Sequence, residues 1–219
     1  MRSHALLLAL IATSLALTAC GEAASDRDSA PPVDIGTLPG VYAGVFPCEN
    51  CLATDARLWL RPDGVYFMSQ DRRAAEDGAV ESTRTIGRWA WDTGDRELVL
   101  RAHGPERRFY YAEDTLRMLV PGAPHMLERD GAGVPFTDRL PLEGQYESSA
   151  AAGTFTECVT GLRLAVRDDA AGRNLRRRQR GVSAANRVVW VSIEAHLVYG
   201  QTEVLAVDRV LAMRPGHGC

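Results

Sequence analysis

From Val41 to Arg129 the chain alternates between short apolar or in-and-out runs and clusters of turn residues. Val41-Tyr42, Arg57 to Leu60, Val65 to Ser69, Arg84 to Trp91, Arg96 to Leu100, Arg107 to Tyr111, Thr115 to Leu119 and Met126 to Arg129 read as strands. Pro62-Asp63-Gly64 and Asp92-Thr93-Gly94-Asp95 stand where the chain must reverse, because Gly accepts positive φ and Asp bonds its own backbone. No long stretch carries helical periodicity. Regular strands joined by hairpins predict an up-and-down meander, and closing it into a small barrel would remove its exposed edges.

A Gly- and Pro-rich loop from Pro121 to Pro141 follows, so a boundary is expected near Leu140, separating a unit over 38–140 from one over 141–219. The second unit opens with Leu142 to Tyr146 and continues through Leu162 to Val166. Its clearest strand places Val189, Val191, Ile193, Ala195 and Leu197 on one face, since strand side chains alternate. Val204 to Met213 completes about five strands, with one helical turn expected around Arg173 to Arg180. The expected class is therefore all-β, a small barrel followed by an OB-like barrel. The base-stacking aromatics of a nucleic-acid OB fold are not evident.

The N-terminus has another logic. Arg2, an apolar run from Ala5 to Leu17 and the small residues Thr18 and Ala19 make residues 1–19 a secretory signal. The run is roughly 13 residues, short of the ~20 that a spanning helix needs. Leu17-Thr18-Ala19-Cys20 resembles the bacterial lipobox, which implies a lipid on Cys20 after cleavage. With Gly21 rather than Asp next, the likeness to sorted lipoproteins implies the outer membrane, with the body facing the periplasm. Residues 20–37 are small and polar, with Pro31-Pro32, and read as a flexible tether.

Composition narrows the function. Losing Arg2 with the signal leaves 24 basic against 28 acidic residues, which gives no electrostatic footprint for nucleic acid. Every basic residue is arginine. The run Arg176-Arg177-Arg178 with Arg180 reads as a solvated face rather than a phosphate or lipid-headgroup site. No nucleophile elbow, Gly-rich phosphate loop or paired carboxylate setting occurs, so no enzyme is expected. His103, His125, His196 and His217 form no zinc spacing.

With Cys20 set aside, Cys48, Cys51, Cys158 and Cys219 remain, an even number in an oxidising compartment. Pairing Cys48 with Cys51 and Cys158 with Cys219 respects the domain boundary. A loop of about 60 residues makes the second bond structural, and one of about 4 leaves the first more easily reduced. Three readings of Cys48-Glu49-Asn50-Cys51 stand open: a loop disulfide, a Cu(I) site on soft thiolates, and a redox pair. The all-β context argues against a thioredoxin-like enzyme, and no adjacent Met or His in the sequence completes a copper site.

The segment Leu38-Pro39-Gly40-Val41-Tyr42-Ala43-Gly44-Val45-Phe46-Pro47-Cys48-Glu49-Asn50-Cys51 resembles the opening of the NlpE family of outer-membrane lipoproteins. Arg61-Pro62-Asp63-Gly64-Val65-Tyr66 and Gly87-Arg88-Trp89 match that domain's later hairpin and glycine-tryptophan pattern. Phe155-Thr156-Glu157-Cys158-Val159-Thr160-Gly161 with Cys219 is similar to the family's C-terminal domain. The resemblance implies a lipocalin-like barrel, an OB-like domain and one disulfide in each. It also implies copper homeostasis and reporting of surface contact or envelope defects to a Cpx-type sensor kinase. The arginines around Arg176 depart from the family's pattern, where a more acidic or aromatic stretch is expected. Competing readings are a ligand-binding or purely structural barrel and, less favoured, a thiol oxidoreductase. Tyr66, Trp89, Trp91 and Tyr110 are expected to pack a core rather than line a ligand cavity.

Overall fold

Turn chemistry sets the strand borders. In the computed structural model, residues 35–48, 50–76, 78–118, 124–133, 135–149, 153–182, 188–216 and 218–219 are described. Eight strands follow a short 3-10 turn at Ile35–Thr37: β1 Gly40–Phe46, β2 Cys51–Leu60, β3 Val65–Ala74, β4 Val80–Asp92, β5 Glu97–Arg101, β6 Arg107–Ala112, β7 Thr115–Met118 and β8 His125–Arg129. At the β2–β3 reversal Gly64 sits at φ 78°, and the Asp63 carboxylate accepts the Val65 N–H at 3.1 Å. At the β4–β5 reversal Asp92 Oδ1 accepts the N–H of Gly94 at 3.0 Å and of Asp95 at 3.3 Å. Both turns are those read from the sequence.

Each strand pairs antiparallel with the next, and β1 pairs with β8 through Tyr42↔Arg129 and Ala43↔Glu128, so the meander closes. Gly44 permits that closure. A Cβ there would run into the Met126 carbonyl oxygen of β8, a backbone atom that cannot rotate away. Gly44→Val is therefore expected to cost about 3 kcal/mol or more, at or beyond the upper end of ordinary overpacking. A fall in the urea midpoint measures it, with Gly131→Ala, which meets no atom within 4 Å, as the near-neutral control.

The interior is filled by Leu58, Leu60, Met68, Leu98, Leu100, Phe109, Leu116 and Leu127, all at most 1% exposed. One end is sealed by Arg129, whose guanidinium donates to the Tyr42 hydroxyl at 2.7 Å and to Asp114 at 2.7 Å while lying over the Tyr42 ring. Burial keeps the Tyr42 phenol neutral, despite the opposing pull of Arg129.

The second set of elements is β9 Leu140–Ser148, β10 Gly153–Glu157, β11 Arg163–Val166, α1 Ala170–Val182, β12 Val188–Val198 and β13 Val204–Pro215. Its strands close in the order β10-β11-β13-β12-β9, with β11 parallel to β13 and every other pair antiparallel. Five strands, a helix between the third and fourth, and a parallel third–fifth pair make an OB-like barrel. Val189, Val191, Ile193, Ala195 and Leu197 are all buried on one face of β12, as their alternation predicts.

Two details differ from the sequence reading. Strand β10 had no strand assigned to it: its alternation of Gly153, Phe155 and Glu157 inward is short and ends in a buried acid. The expected helical turn is a 13-residue helix. Asp169 caps it by accepting the Gly172 N–H at 2.9 Å, and Leu175 drops into the core. Its polar composition conceals a helix whose buried side is only Gly172, Leu175 and Gln179.

The barrels share a junction that local pattern does not show. Val65 and Phe67 of β3 belong to the apolar cluster of the second barrel, where Phe67 stacks on Phe136 at 5.5 Å and Trp59 meets Tyr199 edge-on at 5.8 Å. Arg61 donates to Glu203 at 2.6 Å and to Asp63 at 2.7 Å and lies over the Trp59 and Phe67 rings. Arg84 joins Asp71 to Asp138, and Arg88 donates to the Thr160 carbonyl.

Candidate functional site

The direction of the strands gathers the unusual chemistry at one end of the first barrel, opposite the Arg129 seal. β1 arrives at this mouth with Phe46, turns through Cys48 and Asn50, and leaves as β2 from Cys51. Cys48 and Cys51 are bonded, with Cα atoms 5.7 Å apart and both residues half-buried. Asn50 takes the left-handed φ of 52° that so tight a reversal needs, a conformation Asn tolerates. The pairing of β2 with β3 slips between Cys51 and Ala53, so a bulge bends the strand just after the bond. Cys51 Sγ lies 3.9 Å from the hydroxyl of buried Thr54. Around this lip Val45, Leu52 and Val80 are exposed.

Within the mouth, the His125 ring of β8 stacks on Phe46 at 4.5 Å and 14°. Burial, reinforced by the charge of Arg107, pushes its pKa below the ordinary imidazole value, so the ring is neutral at pH 7. Its Nδ1 is buried and has no hydrogen-bond partner among the described residues. Arg107 of β6 reaches across the lumen to β3, donating to Gln70 Oε1 at 2.9 Å and to Met68 Sδ at 3.1 Å. Met118 stands beside His125 as its cross-strand partner. Apart from His125, named in the sequence only as one of four isolated histidines, these residues are not legible there, because they come from five strands and form no local motif.

Cys158 and Cys219 are bonded, with Cα atoms 5.2 Å apart and a sequence separation of 61. The turn after β10 is organised by buried Glu157, whose carboxylate accepts the N–H groups of Val159 and Thr160 and the Thr160 hydroxyl at 2.6–3.0 Å. The returning tail crosses Trp190. Arg214 covers the indole at 4.0 Å, and Gly218 packs so closely that a Cβ would enter the ring.

The remaining candidates separate. Tyr66 is buried in the first barrel and Trp89 and Trp91 pack against its core, with the Trp89 indole N–H donating to the Arg61 carbonyl at 2.8 Å. Tyr110 instead lies on the face of β6 opposite buried Phe109 and Tyr111, away from the barrel interior. His196 Nδ1 meets Asp208 at 2.9 Å, and His103 is exposed. Of the arginines in α1, Arg176 pairs with Asp168 at 2.8 Å. Cys20, the expected lipid site, the expected signal, the tether before residue 35, Glu49 and His217 lie outside the described residues. Among the described residues no group of three or more His, Cys, Asp or Glu side chains is placed to hold a metal, and no helix is long and apolar enough to cross a membrane.

The profile of the NlpE N-terminal domain matches residues 42–123, and that of the NlpE C-terminal OB domain matches residues 137–219. Lipoprotein NlpE of Escherichia coli strain K12 is 31% identical over 205 residues, covering 87% of this chain and 84% of its own. The chain belongs to the NlpE family. The crystal structure of the Cpx pathway activator NlpE from Escherichia coli aligns over 81% of this chain and 95% of its own at 27% identity, with a TM-score of 0.37. That score is too low to carry weight, and membership rests on the sequence matches. Within the NlpE arrangement, β1–β8 form the N-terminal barrel and β9–β13 the OB barrel. Each holds one of the two disulfides.

Proposed function

We propose that this NlpE homologue is a non-enzymatic lipoprotein, anchored through Cys20 in the outer membrane, that reports the state of the envelope to the periplasmic sensor domain of a Cpx-type pathway. The homologue's description as a lipoprotein and Cpx pathway activator supports this reading. The Cys48–Cys51 pair is its redox- or Cu(I)-responsive element, and Cys158–Cys219 is its structural bond. The observation carrying the assignment is the position of Cys48–Cys51: a half-buried bond on a hairpin lip, outside the sealed core. A bond closing so few residues removes little entropy from the unfolded chain, so opening it leaves the barrel folded.

The donor set fits a soft monovalent ion only after reduction. Two thiolates suit Cu(I), whereas the bonded sulfurs of the oxidised pair are not thiolate ligands. The ion is therefore cargo that the reduced pair accepts, and no resident cofactor is required. The Thr54 hydroxyl, 3.9 Å from the Cys51 sulfur, can donate to that sulfur once it is a thiolate.

Titrating Cu(I) into the mature chain with and without reductant tests the element. Binding is expected only after reduction. The double variant Cys48→Ser, Cys51→Ser is expected to lose it, and with it any copper response of a Cpx reporter, while its thermal midpoint stays within a few degrees, consistent with about 2 kcal/mol or less. Unfolding of the variant would make the pair a structural staple; an unchanged copper response would remove the pair from the sensing role.

A further inference from the structure

The first barrel holds two inward-facing arginines at opposite ends, and they are treated differently. Arg129, at the sealed end, has the Asp114 carboxylate at 2.7 Å. Arg107, at the mouth, has among the described residues only neutral acceptors, the Gln70 amide oxygen and the Met68 thioether. The neighbouring carboxylate of Glu106 is turned outward to Arg101 and Arg108 instead. A half-buried guanidinium without a counter-charge is costly to keep, and an anion whose oxygens match its planar fork offsets that cost. A singly charged carboxylate is less costly to desolvate in a half-apolar mouth than a phosphate.

We propose that the mouth of the N-terminal barrel binds a compact organic carboxylate, with Arg107 reading the anionic group. Gln70 is bonded to the same guanidinium nitrogen and holds the fork in place across the lumen. Beside it stands the half-buried His125 ring, which is neutral and adds no positive charge, and whose buried Nδ1 has no hydrogen-bond partner among the described residues. The half-buried His125 ring, backed by the buried Phe46 ring on which it stacks, and Met118 beside it offer an apolar wall for the ligand's body. Depth is limited. Beneath Arg107, Tyr66, Met68 and Phe109 are buried and fill the lumen, so a long acyl chain cannot enter, and the ligand is a small aromatic or short aliphatic acid. The bare alternative is that Arg107 is only a pin between β6 and β3.

Benzoate separates the two. Of the four methionines that follow Cys20, Met118 is at the mouth, Met68 lies directly beneath Arg107, Met126 sits on β8 and Met213 belongs to the second barrel. The full mature chain, in nonionic detergent and labelled at its methionine methyls, is titrated with benzoate, benzyl alcohol and inorganic phosphate at fixed pH. Benzoate is expected to shift the Met68 and Met118 signals saturably and to leave Met213 unmoved, whereas benzyl alcohol, its neutral counterpart, does not saturate. Arg107→Gln is expected to weaken benzoate binding about tenfold or more, and Arg107→Lys less, because a point charge keeps the attraction but loses the fork. A Met126 signal that keeps its wild-type position in the ligand-free variants shows that the first barrel remains folded, because Met126 sits on β8 of that barrel. No saturable shift with benzoate, or equal benzoate binding by wild type and Arg107→Gln, overturns the site. Saturation by phosphate in preference to benzoate overturns the carboxylate assignment.

Discussion

Replacing Cys158 and Cys219 together by serine is expected to destabilise the OB barrel by about 4 kcal/mol, lowering its midpoint by on the order of 20 °C. The bond joins residues 61 apart, so its loss returns a long loop's entropy to the unfolded chain. It also releases the tail that closes over Trp190, where Arg214 and Gly218 flank the indole. Both effects act in the same barrel. The Glu157 carboxylate keeps its three bonds within the turn, so the native fold at Cys158 should survive and the loss should appear as stability rather than misassembly. Thermal melts followed by near-ultraviolet circular dichroism measure the effect, with the Cys48/Cys51 double variant as the small-effect comparison. A shift of only a few degrees would show that β13 holds the tail without the bond.

Arg61→Ala is expected to cost about 3 kcal/mol and to uncouple the barrels, dividing a single calorimetric transition into two. Arg61 is 14% exposed and its partner Glu203 21%, so removing the guanidinium leaves a half-buried carboxylate of the second barrel without its ion pair. The same change strips the cation from the Trp59 and Phe67 rings, whose stacking reaches Phe136 and Tyr199. Glu203→Gln should cost less, because the amide oxygen still accepts from Arg61, and the double-variant cycle isolates the pair. The pH dependence has a definite sign. Burial raises the Asp63 pKa, but the bonds from Arg61 and from the Val65 N–H outweigh it and hold the carboxyl below its usual range. A depressed folded pKa contributes stability that is present above the unfolded value near 4. That contribution fades as pH falls from about 4 through the folded value, so the junction weakens in strong acid and not near neutrality.

Several of these features were legible in the residues before any coordinates. The eight runs between Val41 and Arg129 correspond to β1–β8, and the alternation from Val189 to Leu197 placed the buried face of β12. Turn chemistry at Asp63-Gly64 and Asp92-Thr93-Gly94 works within three residues, which is why it reads directly from sequence. Where the signal was weak, the reading thinned: β10 is five residues ending in buried Glu157, and α1 buries so few side chains that its arginines mask its period. Tyr110 was grouped with the core aromatics, although alternation along β6 turns it away from Phe109 and Tyr111.

The sequence by itself determined the all-β class, the strand order along the chain, the principal turns and the likeness to NlpE. Tertiary structure decided what meets across space. Closure and register bring His125 of β8 onto Phe46 of β1, carry Arg107 of β6 across the lumen to β3, and set Glu203 against Arg61 from 142 residues away. Alternation gives a strand its faces, but a side chain's partner depends on how many strands the barrel closes with and how each is staggered against the next. Those are properties of the closed sheet as a whole. No single strand carries them, so the meeting of Arg107 with only neutral acceptors among the described residues becomes visible only once the barrel is assembled.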